Sequence, residues 1–193
     1  MAEFIKNELQ FEHRFDQKTC RHTINGITAV LHCHHFATLT TQLANDCGLL
    51  DGKKLLADCA EDAFYQALDA YYKKQGITGL RERIEIGEQY FSAVGLGKLK
   101  VQNAGLCSGK VILEHSHVDE GWIQKWGKAD KSVNHIGCGY VCALFSAVYG
   151  RPRREYRAVE EQSIVKGAAY TVITVTDVRD LAGGRAYEGQ SWQ

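Results

Sequence analysis

The chain has 193 residues, 45% of them hydrophobic and 24% charged, with Lys+Arg and Asp+Glu both at 23 and a formal net charge of zero. That length is enough for one sizeable core. The balance argues against broad electrostatic binding to nucleic acid or to an anionic membrane. No apolar run is long enough to span a bilayer, and the first residues carry Glu3, Lys6 and Glu8 in place of an apolar signal core, so the expected location is cytoplasmic.

Leu9 to Phe15 alternates apolar and polar, the period of a half-buried strand. Asn25-Gly26 marks a turn. The segment Ile27 to Asn45 reads as a mainly buried helix closed near Gly48. Asp51 caps the clearest helix, Lys53 to Gln75, whose inward face carries Leu56, Ala60, Ala63, Ala67 and Tyr71 and which stops at Gly76. Gln89–Val94, Lys98–Asn103 and Lys110–His115 read as short strands. Asp119 opens a short amphipathic helix to Trp126, and Asn134 opens another to Tyr149, stopped by Gly150 with Pro152 just beyond. Strands near Arg154–Val159 and Tyr170–Val175 complete an α+β fold with a mainly antiparallel sheet. One domain over residues 1–182 is expected, followed by a polar, Gly-rich tail from Gly183 to Gln193.

Chemistry concentrates in three windows: His32-Cys33-His34-His35, His115-Ser116-His117, and His135 with Cys138 and Cys142. Imidazole and thiolate are ligands for zinc, iron and copper, and groups that titrate or attack near neutral pH. His135, Cys138 and Cys142 share one stripe of their helix, and His32 and His35 share a face of theirs. No single helix surrounds a metal, so a site needs all three windows. The metal candidates are His32, His35, His115, His117, His135, Cys138 and Cys142. A transition metal, iron or zinc, is the expected cofactor. Haem ranks lower and would be non-covalent, since no Cys-x-x-Cys-His motif occurs. The bland alternatives are core packing for Cys138 and Cys142, and helix N-terminal charge for Asp119 and Glu120. No phosphate-cradling loop or nucleophile elbow is present. Seven cysteines, an odd number, read as reduced thiols.

Gly97-Lys-Leu-Lys-Val101, Asp119-Glu-Gly-Trp122, Trp126-Gly127, Gly139-Tyr140, the run from Ala143 to Gly150-Arg-Pro152, and Glu160-Glu161 followed by Gly167 together resemble the 4-vinyl reductase domain of predicted hydrocarbon-binding proteins. The match covers about residues 97–175. That family includes an accessory protein of bacteriochlorophyll synthesis and the aromatic-sensing domain of phenol- and toluene-responsive regulators, and its fold is similar to that of a vesicle-tethering subunit. The resemblance implies an internal apolar pocket for an aromatic, hydrocarbon or tetrapyrrole-like ligand. His34, Phe36, Tyr65, Phe91, Glu120, Trp122 and Tyr140 are its expected lining. The phenol sensors hold zinc at positions that here carry Asn134, Glu160, Ser163 and Thr171, so that zinc site is not expected. The sequence is compatible with a homodimer. Two other readings stand beside ligand binding: a metal-dependent enzyme acting on a small organic substrate, and a structural or assembly module.

Overall fold

A computed structural model describes residues 8–30 and 32–183. The expected tail lies outside them beyond Gly183. The elements in chain order are strands β1 (His13–Asp16), β2 (Arg21–Ile24) and β3 (Ile27–Ala29); helices α1 (His34–Asp46), α2 (Gly52–Gln75) and α3 (Leu80–Ala93); strands β4 (Gly97–Ala104) and β5 (Ser108–Ser116); helices α4 (His117–Trp126) and α5 (His135–Tyr149); strands β6 (Tyr156–Gln162) and β7 (Thr171–Asp177); and helix α6 (Val178–Gly183).

The fold is α+β with two antiparallel sheets. β4-β5-β7-β6 forms the main sheet and β1-β2-β3 a smaller one. α5 is the central element. It is buried at every position from Gly139 to Val148 and packs against α2 on one side and the main sheet on the other. Its sequence is apolar all round, as a helix enclosed on all sides requires. Gly139 permits the close approach of α2, since a Cβ there would lie 2.2 Å from the Ala57 carbonyl oxygen. Tyr140 has no solvent exposure; its hydroxyl donates to the Gly87 carbonyl at 2.6 Å, and Phe64 and Phe91 contact its ring edge-on at 4.8 Å.

The helix ends follow local chemistry. The Asp51 carboxylate accepts from the Lys54 N–H, and the Asn134 side chain from the Gly137 N–H. Gly76 and Gly150 take the left-handed conformation that closes α2 and α5.

Three expectations are corrected. The helix expected over Ile27–Asn45 starts only at His34, because Asn25 and Gly26 both adopt positive φ (49° and 86°) and turn β2 into β3. Two positive φ values in succession make the turn whose twist suits a two-residue hairpin. The strand expected at Gln89–Val94 is the last part of α3 and its exit: Ile86, Tyr90 and Phe91 are buried at helical spacing. The helix expected to open at Asp119 opens two residues earlier. Ser116 is its cap, accepting from the Asp119 N–H at 3.2 Å, and Asp119 is fully buried.

Candidate functional site

A cavity of about 380 Å³ lies between the small sheet, α2 and the α3–β4 turn. Ile24, Ile27, Ala29 and Val30 form one wall, Ala63, Phe64 and Ala67 of α2 a second, and Tyr90, Val94, Gly95 and Leu96 a third. His32 and His117 are its two imidazoles. Their rings stand 5.7 Å apart, and His32 also touches the ring of Phe36 at 5.4 Å. Apolar walls with a few converging polar groups are the usual make-up of a small-molecule site of this size.

His117 is the first residue of α4. Its Nε2 is buried without a hydrogen-bond partner, and the Cys33 backbone lies beside the ring. Burial holds its pKa below the ordinary 6.5, with His32 and His34 adding to the effect. A neutral ring whose Nδ1–H donates to a carbonyl leaves Nε2 as an acceptor. His34 lies against α4 where Gly121 has no side chain: a Cβ there would lie 2.6 Å from that of His34. The Nε2 of His34 is likewise buried and unpartnered.

The remaining expected residues fall elsewhere. His35 is exposed, its ring tilted against that of His34 at 4.2 Å. His115 and Glu120 are exposed and pair with each other at 3.2 Å. Phe36 is exposed, and Tyr65 lies under the Arg153 guanidinium. Phe91 and Tyr140 are core. Trp122 packs with Val133 and Val165 and lies tilted against Trp126.

His135, Cys138 and Cys142 keep their common stripe, but it lines a second cleft of about 770 Å³ between α2, α5 and β6. His135 Nε2 is bonded to Asn45 Oδ1 at 2.9 Å, and burial pushes its pKa down to about 4. Burial raises both thiols, Cys142 to about 12, and Cys142 donates to the Tyr156 carbonyl. Raised thiols of this kind hold little thiolate near neutral pH. The cleft is rich in charge, and Arg154 is held there by Glu61, Asp58 and Asp62.

The first two windows thus meet through His32 and His117, while His135, Cys138 and Cys142 lie in a separate cleft because α5 is fixed by its own packing against α2 and the main sheet. Among the described residues, the one set of three metal-type donors within 4.8 Å of one another is Cys107, Asp177 and Asp180, which no expectation named. There Asp177 is engaged by Arg151 and Arg179, and the Cys107 thiol by Asp180.

Asn134, Glu160, Ser163 and Thr171 do come together. Asn134 donates its amide to Ser116 and Asp119 (both 2.9 Å) and its backbone N–H to Glu160 (3.1 Å); Thr171 donates to Asp119 (3.2 Å), and Ser163 bonds Glu160. Burial, then the nearby Asp119, raises Glu160 to about 7.

No family model matches the sequence, and comparison with curated proteins finds no match. Solved structures do match. The phenol-responsive sensory domain of the transcription activator PoxR, solved with phenol, superposes with a TM-score of 0.72 at 15% identity, covering 91% of this chain and 92% of that one. A trafficking protein particle complex subunit 3 from Naegleria fowleri, covalently bound to palmitic acid, gives 0.50 at 14% over 75% and 93%. A vinyl-4-reductase family protein from Methanocaldococcus jannaschii gives 0.46 at 12% over 74% and 77%. The first two establish a shared fold, the one implied by the sequence resemblance. No described helix is long and apolar enough to cross a membrane.

Proposed function

We propose that this chain is a small-molecule-binding domain whose ligand is a small aromatic or apolar compound with one hydrogen-bond donor, seated in the 380 Å³ cavity against His117. The observation that carries this reading is the buried, unpartnered Nε2 of His117 in an otherwise apolar enclosure. Leaving such an acceptor unsatisfied costs about 1–3 kcal/mol, and a ligand hydroxyl removes that cost while its ring covers Phe64, Tyr90 and Leu96. The phenol bound by a sensory domain of the same fold supports the ligand class.

Calorimetric titration of the chain with phenol and alkylphenols tests it. The expected result is saturable binding at one site, weakened at least about tenfold in His117→Phe, which keeps the ring and removes the acceptor. Absence of saturable binding by the whole series, or full affinity in His117→Phe, overturns it.

A second reading places a transition metal, iron or zinc, at the histidine end of the same cavity. It rests on the unpartnered Nε2 of His117 with the exposed His32 ring beside it; the donor atoms of His32, His34 and His117 do not all lie within 4.8 Å of one another, so metal binding there requires the side chains to move. Elemental analysis of tag-free protein decides: stoichiometric metal lost in His34→Ala and His117→Ala supports it, and a sub-stoichiometric content removes it.

A further inference from the structure

A second cavity, of about 110 Å³, continues the first along α2. The two share Ile27 and Ala67 as lining. On α2 the larger one is met by Ala63 and Ala67, the smaller by Ala67, Tyr71 and Lys74. These positions fall at i, i+4, i+8 and i+11, one stripe of the helix. At 1.5 Å of rise per residue, Ala63 and Tyr71 stand about 12 Å apart along the axis.

The chemistry changes along that stripe. Apolar side chains surround two imidazoles in the larger cavity, whereas the smaller one gathers hydrogen-bond donors. Asn25 uses its Oδ1 to accept the Glu12 N–H at 2.8 Å, and its Nδ2 is buried and unpartnered. The Tyr71 hydroxyl, on a residue only 5% exposed, accepts the Gln10 N–H at 2.7 Å. Its own proton meets no acceptor among the described residues. Lys73 is paired with Asp69, but Lys74 has no ion-pair partner among the described residues. Glu12, a carboxylate on the same lining, is held by Arg14, whose Nε donates to its Oε1 at 2.6 Å.

We infer that the smaller cavity is the carboxylate end of the ligand site, and that the ligand is an elongated hydroxyaryl alkanoic acid. Its phenolic hydroxyl sits at His117, its chain passes between Ile27 and Ala67, and its carboxylate meets Asn25 Nδ2, the Tyr71 hydroxyl and Lys74. This rests on the ligand cavity proposed above and adds its far end. Two neutral donors would serve a carbonyl equally well; the free ammonium of Lys74 selects an anion, since hydrogen bonds between charged partners are about twice as strong. Ile27 is 37% exposed on the β2–β3 hairpin and is the movable side of the passage, whereas Ala67 is buried in α2.

Calorimetry with phenol, para-hexylphenol and para-hydroxyphenylhexanoic acid tests it. The last two have chains long enough for the ~12 Å, and only the acid carries the charge. The acid is expected to bind at least about tenfold more tightly than hexylphenol. Lys74→Gln and Asn25→Asp each remove most of that advantage and leave the affinity for hexylphenol unchanged. Should Asn25→Asp weaken both probes alike, Lys74→Gln, at its exposed position, decides. The shorter para-hydroxyphenylpropanoic acid gains nothing over propylphenol. An acid that binds no more tightly than hexylphenol, or an advantage undiminished in Lys74→Gln, overturns the inference and leaves the phenol site standing. Failure of phenol and hexylphenol alike to bind removes the proposed ligand site itself, and the inference with it.

Discussion

His32 and His117 come from opposite halves of the sequence, yet their rings stand 5.7 Å apart, tilted by 59°, at one end of the apolar cavity. They are not equivalent. His32 is exposed and its Nδ1 leans on the Cys33 carbonyl at 3.3 Å, whereas His117 holds a buried acceptor. His32→Ala is expected to lower phenol affinity only about threefold, against at least about tenfold for loss of the His117 acceptor. Calorimetry on both variants reads the ratio, and equal losses would contradict the assignment.

Ala63 lines the cavity from an exposed position on α2. Ala63→Trp fills the space without disturbing the core. Phenol binding should disappear while the thermal midpoint stays within a few degrees of wild type, since surface changes stay within about 0.5 kcal/mol. Retained binding would place the ligand elsewhere.

Ligand affinity should follow the protonation of His117. Its pKa lies below the ordinary 6.5, chiefly through burial. The ring is therefore neutral above pH 6.5, and affinity for phenol is flat from there until phenol itself ionises at pH ~10. Below pH 6.5, protonation turns the acceptor into a donor and affinity falls. A decline that sets in above pH 7 would refute the neutral-acceptor reading.

Stability should carry two opposed pH slopes. Glu160 titrates at about 7 in the folded chain against an ordinary 4.5, so the folded state keeps a proton that the unfolded state releases. Stability from this group is lost as pH rises from 4.5 to 7. His135 is reversed: its folded value of about 4 lies below 6.5, so its contribution is lost as pH falls from 6.5 towards 4. Between 4.5 and 6.5 the two nearly cancel in wild type. In Glu160→Gln the largest opposing slope is gone, so the melting temperature rises with pH across that window more steeply than in wild type, and the variant gains about 3 kcal/mol on wild type by pH 8. Parallel curves for the two proteins would show that Glu160 ionises normally.

The α2–α5 contact tolerates no side chain at Gly139. Its Cβ would meet the Ala57 carbonyl oxygen at 2.2 Å and the Ala60 Cβ at 2.8 Å, one of them backbone and neither able to swing away. Gly139→Ala should cost about 3 kcal/mol by urea denaturation, in the range of overpacked cores. Gly48→Ala, with open space around its Cβ, serves as the neutral comparison.

Elements signalled by their own ends were legible in the sequence. Asp51, Asn134, Gly76 and Gly150 bound α2 and α5 as expected, because caps and left-handed stops are local chemistry. The α+β architecture was legible too. Ile27–Ala29 was misread because a short apolar run fits helix or strand equally, and only the hairpin before it decides. His32 and His117 were marked by composition. The walls around them were not: Ile24, Phe64, Tyr90 and Leu96 carry no signature, since their common surface exists only after four distant segments pack. The aromatic residues chosen instead, Phe91 and Tyr140, are large enough to line a pocket but are enclosed by α2, α3 and α5.

The small sheet has a further consequence for how this fold changes over time. β1, β2 and β3 pair only with one another, hold no fully buried residue, and form one wall of the cavity through Ile24, Ile27 and Ala29. The opposite walls come from helices committed to the core. Substitutions at Ile27, Ala29 or the adjoining Val30 can therefore alter which molecules fit with little effect on folding, whereas the same change at Ala67 or Tyr90 disturbs both at once. Diversification of ligand preference among descendants of this sequence should concentrate in the hairpin.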